Sequence, residues 1–328
     1  MKWSCQEVLL NRINAQNSPF DWSLVKTDID LRQSLKSHGL LMPFVIQSAD
    51  SSQFLLIDGF KRIKALRELE HNAELSFPCL VVPSEISSAR IALWRLETQS
   101  KQQSFKGPEV CRILTILAEL GFEESAITEQ VLPKLGMKPS KKTTEELLLL
   151  GQLLRKDDSE LLMHCTADEM LPLLKFSDAE IPILFRNLKD LKLGGNKWKS
   201  LLQLLNEVCR FRNWTLAQIM DSAEVVRILH DPQIQSPVRF RLLKQKLETW
   251  RYPELTSSRE RFETDLKSLR LPKQVEVQYD PFFEKDNLLL KFKAGSLKEL
   301  TEQVFTVKEK LKMETWESLF QLIHGEEF

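Results

Sequence analysis

The stretch LLIDGFKRIKALR, residues 55–67, decides how the N-terminal part of this chain folds. Its first residues form a short apolar run, typical of a buried strand, that ends at Asp58-Gly59. An amphipathic pattern with Ile63 and Leu66 on one face begins immediately afterwards. The sequence therefore predicts a strand that passes directly into a helix.

A strand–glycine–helix junction is a natural site for an anion. Free backbone N–H groups and the positive end of the helix dipole point outward at such a junction. Gly59 allows a ligand to approach the backbone, and Lys61 and Arg62 add full charges. Such junctions are common and often bind nothing. The residues alone therefore support equally a phosphate site and a purely structural junction.

Composition limits the function without naming a partner. The 328 residues allow two or three domains, and 46 Lys and Arg balance 46 Asp and Glu. Any affinity for nucleic acid must therefore come from local patches. The five cysteines form no CxxC pair, and no apolar run approaches the ~20 residues of a membrane span. We expect a cytoplasmic protein with reduced thiols, no metal site and no membrane contact.

The junction resembles the GxxRxxA element of the ParB partition proteins, with Gly59, Arg62 and Ala65 at the matching positions. Residues 35–46, LKSHGLLMPFVI, which include Gly39, are similar to a second segment of that family, at the family's separation. The resemblance covers roughly the first third of the chain. It implies a ParB/sulfiredoxin-like fold, a nucleotide triphosphate (CTP) held at the junction, and a bacterial protein acting in chromosome partition.

A third family element departs from the pattern. ParB proteins carry an ENxxR element that helps to place nucleotide and metal, and the matching positions here are Thr98, Gln99 and Gln102. The carboxylate is missing and the Arg has become Gln. Divalent cations prefer charged oxygen ligands. We therefore expect Gln99 and Gln102 beside the nucleotide, leave the need for magnesium open, assign no catalytic residue, and expect at most weak triphosphatase activity.

Two other functions remain open. A free-serine kinase shares this fold, and Asp21, Asp28 and Asp30 could supply its base. Sulfiredoxin activity is disfavoured because Phe60 stands where that family has its catalytic cysteine. A degenerate scaffold without a ligand would explain the altered ENxxR element.

A helical hairpin follows Pro108. A helix predicted over 125–135 stops at Gly136, and the next helix is predicted to begin with a capping box at Thr143 and Glu146. The pair resembles the helix-turn-helix of ParB proteins.

Details of this hairpin disfavour base reading. Pro133 interrupts the first helix, and Glu145-Glu146 place acid where DNA phosphates would lie. We expect a structural hairpin with a basic turn at Lys141 and Lys142, a degenerate helix-turn-helix.

DNA binding is therefore expected through the backbone. Basic residues concentrate in the windows 186–212 and 239–261. Such contacts release counterions, so binding should be weak, salt-dependent and nearly blind to sequence. The candidate residues are Lys141, Lys142, Lys197, Lys199, Arg210 and Arg212.

The C-terminal residues change period after Pro272. An alternating stretch at Val275, Val277 and Tyr279, a second strand over 288–292 and then two helical patterns predict a small ββα module that could form a homodimer. The predicted class is α+β, with a ParB/sulfiredoxin-like domain at 1–107, a helical domain at 108–271 and this module at 272–328.

Overall fold

The computed structural model is a mixed α+β fold with a helical majority and a small sheet, as the sequence predicts. It describes residues 3–16, 18–22, 29–48, 53–69, 75–154 and 161–324. The chain divides into two compact units. The first contains residues 1–206, 216–222 and 235–237, and the second contains 207–215, 223–234 and 238–328. The three-domain division stays a prediction.

The first unit is built on a five-stranded mixed sheet. The strands are β1 Ser4–Leu9, β2 Ile13–Asn14, β3 Phe44–Ser48, β4 Phe54–Asp58 and β5 Ser76–Val82. Their order in the sheet is β1-β5-β3-β4-β2. β1 and β5 pair antiparallel, as do β3 and β4, whereas β3 with β5 and β2 with β4 are parallel.

Three helices accompany the sheet: α1 Ile29–His38, α2 Phe60–Leu69 and α3 Ser88–Ser100. β4 ends at Asp58 and α2 begins at Phe60, so the predicted passage from strand to helix is confirmed. α2 buries an apolar face into the core, which fixes the position of its first turn.

The predicted hairpin is present but irregular. α4, Gly107–Glu119, precedes α5, Glu124–Ala126, which continues as a π-helical turn and a 3₁₀ turn up to Leu135. The helix predicted over 125–135 is present, but as successive α, π and 3₁₀ turns, and Pro133 contributes to this because it cannot donate a helical hydrogen bond.

The next helix, α6, spans Lys141–Leu153. Ser140, in extended conformation, is its N-cap and accepts a 3.2 Å bond from the backbone N–H of Thr143. The capping box predicted at Thr143 and Glu146 is wrong by one turn, because Ser140 is the first residue able to present its hydroxyl to that turn.

Further helices lie wholly or partly in the first unit. They are α7 Ala167–Met170, α8 Ile181–Leu188, α9 Gly195–Arg212, which is divided between the units at Glu207, and α10 Leu216–Met220.

The second unit contains α11 Ala223–His230, most of α12 Ser236–Arg251, and α13 Pro253–Ser268. The antiparallel strands β6 Val275–Gln278 and β7 Leu289–Phe292 follow, and then α14 Leu297–Lys310 and α15 Thr315–His324. A core cluster joins α13 to α15 through Phe262, Leu269, Trp316, Leu319 and Ile323. Among the described residues, no helix is long and apolar enough to cross a membrane.

Candidate functional site

Gly59 makes the junction between β4 and α2 possible. Its φ is +107°, a conformation that side-chain-bearing residues rarely adopt. A Cβ at this position would lie 2.6 Å from Cδ1 of Phe44, which is fully buried. The Gly59 carbonyl accepts a 2.9 Å bond from the N–H of Ile63, so the helix starts at once.

Arg62 already has several partners within the protein. Its Nη2 donates to Oδ2 of Asp58 at 2.9 Å, and its Nη1 donates to the carbonyls of Met42 and of Pro43, the latter at 3.1 Å. The guanidinium also lies 5.9 Å from the centroid of the Phe44 ring. Arg62 therefore ties the start of α2 to the loop before β3.

Arg95, on α3, is a site residue that the sequence analysis missed. Its Nη1 donates to the carbonyl of Ile57 and lies 3.2 Å from Oδ1 of Asp58. The guanidinium carbon lies 4.8 Å from the centroid of the Trp22 ring and 5.0 Å from that of the Phe60 ring. Asp58 therefore contacts two arginines with its two oxygens.

Arg95 is a buried charge. The residue is only 7% exposed, and burial lowers the pKa of its guanidinium to about 10, while the carboxylates of Asp58 and Asp21 act in the opposite direction. The group therefore stays charged at neutral pH. Its Nε is buried and has no hydrogen-bond partner in the described part of the chain.

These groups surround a cleft of about 170 Å³, here named the charged cleft. A whole small-molecule site typically needs ~300 Å³ or more. The charged cleft is therefore of a size for a phosphate group and smaller than a nucleotide. Its lining residues are Trp22, Asp58, Gly59, Phe60, Lys61, Arg62, Arg95, Gln99, Gln103 and Glu109.

A second cavity of about 330 Å³ shares Asp58, Arg95 and Gln99 with the charged cleft, and we name it the aromatic cavity. The rings of Trp3 and Trp94 lie at its wall with centroids 6.3 Å apart. The other lining residues are Met42, Val45, Ile57, Val82, Ile91, Thr98 and Gln102. A flat apolar group could therefore lie beside a bound phosphate.

Most of the residues predicted from the junction meet here. Asp58, Gly59, Lys61 and Arg62 line the charged cleft together with Gln99. The Oε1 atom of Gln99 accepts a 2.7 Å bond from the indole N–H of Trp22.

Two further predicted residues lie at different places. Gln102 lines the aromatic cavity. Gly39 ends α1 at a φ of +68°, and its N–H donates to the Leu35 carbonyl at 3.0 Å. Its place in the structure is that of a helix stop.

The basic residues proposed for DNA lie in both units. Lys141 and Lys142 are exposed in the first turn of α6, where they form long ion pairs with Glu145 and Glu146 at 3.7 and 3.8 Å.

The remaining four lie on α9. Lys197 and Lys199 belong to the first unit, and Arg210 and Arg212 belong to the second. Nε of Arg212 donates to the carbonyl of Trp250 at 2.9 Å, so this residue has a packing role.

The acidic residues that the structure describes offer no metal cluster. In the ranges that the structure describes, no three His, Cys, Asp or Glu side chains are grouped to hold an ion. Three aspartates were proposed for a kinase base. Asp21 favours the charged form of Arg95 and so opposes the lowering of its pKa. Asp30 lies in the first turn of α1. Asp28 lies outside the described residues.

One sequence signal could have found Arg95. Ile91, Ala92, Arg95 and Leu96 follow the i, i+1, i+4, i+5 spacing of a buried helix face, and the structure buries all four. A charge in such a stripe requires a partner. The aromatic partner Trp22 gave no comparable signal, because its position depends on packing between distant segments.

Comparison with known proteins adds two solved structures. No family model and no curated protein matches the sequence. The chain is similar to a C-terminally truncated chromosome-partitioning protein ParB from Caulobacter crescentus complexed to the centromeric parS site. The two are 14% identical with a TM-score of 0.32, covering 60% of this chain and 98% of that one. It is also similar to a Pnob8-like ParB-N domain at 13% identity and a TM-score of 0.35, covering 75% of this chain and 98% of that one.

Proposed function

We propose that this protein binds a nucleoside triphosphate at the end of β4. The observation that carries the proposal is the adjacency of the charged cleft and the aromatic cavity, which share Asp58, Arg95 and Gln99. One can take a phosphate and the other a base. The GxxRxxA resemblance makes CTP the first candidate.

The phosphates would lie beside the N-terminus of α2. Lys61, Arg62 and Arg95 line the charged cleft from two helices, and the helix dipole adds to their charge. A base would lie in the aromatic cavity beside Trp3 and Trp94, since aromatic rings stack on any base. Thr98 and Gln102 offer polar groups at its edge.

The site fits a nucleotide better than it fits a magnesium ion. Asp58 is the carboxylate at the junction, and each of its oxygens already contacts an arginine. Any magnesium would therefore be held largely by the nucleotide's own phosphates. We propose slow or absent hydrolysis, and phosphate release assayed with magnesium at saturating nucleotide measures it. Rapid turnover accelerated by free serine would favour the kinase function instead.

A thermal-shift screen of CTP, ATP, ADP and GTP tests binding. A ligand at a hundredfold excess over its dissociation constant should stabilise the protein by ~3 kcal/mol. Lys61→Ala should weaken binding about tenfold, because one charge-assisted contact is lost. Lys64→Ala is the matched control, since Lys64 lies on the exposed face of the same helix. Equal stabilisation of both variants would place the nucleotide elsewhere.

A scaffold without a ligand is the second candidate, and the contacts of Arg62 favour it. This residue is already satisfied by Asp58 and by the carbonyls of Met42 and Pro43. Under this function none of the nucleotides would shift the unfolding temperature.

We propose that any DNA binding uses the backbone and is gated by the nucleotide. Exposed Lys141 and Lys142 lie beside Glu145 and Glu146, an arrangement poorly suited to base contacts. Gating requires that the nucleotide favour one of two arrangements of the helices after Gln99. Charge reversal at both Lys197 and Lys199 should weaken binding equally for all duplexes at low salt. A defined sequence bound at physiological salt would contradict this.

We also propose that the second unit forms a homodimer through α14. Leu297, Leu300 and Val304 on α14 and Leu311 directly after it are separated by three, four and seven residues, and all four are exposed. Such a stripe is self-complementary around a two-fold axis. Sedimentation equilibrium should show a dimer that Val304→Glu dissociates, whereas Glu302→Gln should leave it intact.

A further inference from the structure

Asp58 takes the position at the junction where an anion would be expected. It is the last residue of β4, next to the positive end of α2. Oδ2 accepts from Nη2 of Arg62 at 2.9 Å, and Oδ1 lies 3.2 Å from Nη1 of Arg95. A phosphate bridging two guanidinium groups would need the same donors. The carboxylate and a ligand therefore compete for them.

Asp58 does not fully neutralise the positive charge of the charged cleft. Lys61, Arg62 and Arg95 bring three cations, and Asp58 and Glu109 bring two carboxylates. Glu109 is engaged at α4, where its Oε2 accepts from the backbone N–H of Lys106 at 3.1 Å.

Nε of Arg95 is a buried donor without a partner in the described part of the chain, on a side chain that lines the charged cleft. A buried donor normally has a partner. The guanidinium of Arg95 is therefore not fully satisfied by the protein.

We propose that Asp58 acts as a built-in competitor that a ligand must displace, and that it thereby selects linked phosphates over a single phosphate. This inference rests on the proposed nucleotide site. Asp58 is tethered beside the arginines, so its effective concentration there is high. A single phosphate must outcompete it at the two arginines. A diphosphate or triphosphate can also contact Lys61 while it displaces Asp58.

Inorganic phosphates isolate this selection from any contribution of the base. Calorimetric titrations at constant ionic strength would compare orthophosphate, pyrophosphate and tripolyphosphate. In the wild type we expect affinity to rise at least tenfold from orthophosphate to tripolyphosphate. Asp58→Asn should tighten orthophosphate binding about tenfold and reduce that ratio, because the competitor has lost its charge.

Glu68→Gln is the matched control. Glu68 lies at the end of α2 and pairs with Arg32 at 2.6 Å, away from the charged cleft. Its substitution removes one carboxylate from the helix that follows Asp58 and should leave all three affinities unchanged. A similar gain in this variant would show that Asp58 acts only through the general field, which would overturn the proposal.

The outcomes separate this inference from the proposed function. If Asp58→Asn binds tripolyphosphate and the ratio of its affinities for tripolyphosphate and orthophosphate equals that of the wild type, Asp58 is not a competitor. The proposed nucleotide site would be unaffected by that result. If neither nucleotides nor inorganic phosphates bind either protein, both proposals are wrong. Because Asp58→Asn also removes a partner of buried Arg95, circular dichroism must first show that it is folded. If it is unfolded, equal wild-type affinity for the three phosphates still overturns the proposal.

Discussion

The junction at Gly59 and the turn at Gly136 each contain a glycine followed by a helix with basic residues in its first turn. They differ in whether the acidic or the basic residue comes first in their i,i+4 ion pairs. In the first, Asp58 precedes Arg62 by four residues and the charged atoms lie 2.9 Å apart. In the second, Lys141 and Lys142 precede Glu145 and Glu146 by four residues at 3.7 and 3.8 Å. The first arrangement places acid at the helix N-terminus, and the second places it a turn later.

The helix dipole explains part of this difference, and burial explains the rest. Acid is favoured near a helix N-terminus and base is disfavoured there. The Arg62 side chain is also 17% exposed, whereas those of Lys141 and Lys142 are 80% and 83% exposed. Charges are thus held in place at the first junction and solvated at the second. A basic residue that follows a glycine therefore indicates an anion site only where the fold buries its side chain.

The largest expected effect comes from the two glycines. Gly59→Ala should destabilise the protein by about 3 kcal/mol, because a positive φ and an overlap with Phe44 act together. Gly136→Ala should cost about 1 kcal/mol, since its φ is +77° and, in the described part of the chain, no atom lies within 4 Å of the added Cβ. Urea unfolding measures both. Equal losses would show that the first junction is no more constrained than the second.

A smaller effect is expected from Arg62. Arg62→Ala removes a charge-assisted bond to Asp58 and two bonds to backbone carbonyls, so we expect a loss of about 2 kcal/mol. Asp58 keeps its contact with Arg95, which limits the loss of stability. Urea unfolding of this variant and of Lys64→Ala provides the comparison. A loss below that of the lysine variant would mean that the pairing at the first junction does not stabilise the fold.

Local sequence predicted the first junction well because its determinants are local. The end of the apolar run, the glycine and the helical pattern all lie within residues 55–67. Arg95 and Trp22 reach the same cleft from other segments, and their convergence depends on how the sheet and α3 pack. The hairpin was predicted less well. The segment that contains Pro133 forms a 3₁₀ turn, and the N-cap of α6 is Ser140 instead of Thr143.

The contrast between enclosed and exposed ionisable groups extends to the thiols. Burial raises the pKa of Cys111 to about 12 from an ordinary value near 9, so the unfolded chain loses this proton first. Stability is therefore retained below about pH 9 and is lost as the pH rises from there toward 12.

Cys111→Ala should reduce the loss of stability between pH 7 and pH 10 by about 1 kcal/mol. Cys5→Ser is the control, because Cys5 is exposed. Urea unfolding at both pH values measures the difference. If both variants lose as much unfolding free energy between pH 7 and pH 10 as the wild type does, burial does not raise the pKa of Cys111 in the folded protein.

The smallest effect is expected at the second turn. Lys141→Ala and Lys142→Ala each remove a long ion pair whose lysine is exposed at the start of α6. Such surface pairs contribute ~0.2–1 kcal/mol at most, and here the lysine also opposes the helix dipole. The two terms nearly cancel. We therefore expect changes within about 0.5 kcal/mol, with alanine's better helix propensity favouring the variants.

Urea unfolding at low and at high salt separates the terms, since both electrostatic contributions are screened at high salt. A loss near that of Arg62→Ala would show that the exposed turn holds its charges as firmly as the enclosed junction does, and the comparison between them would fail.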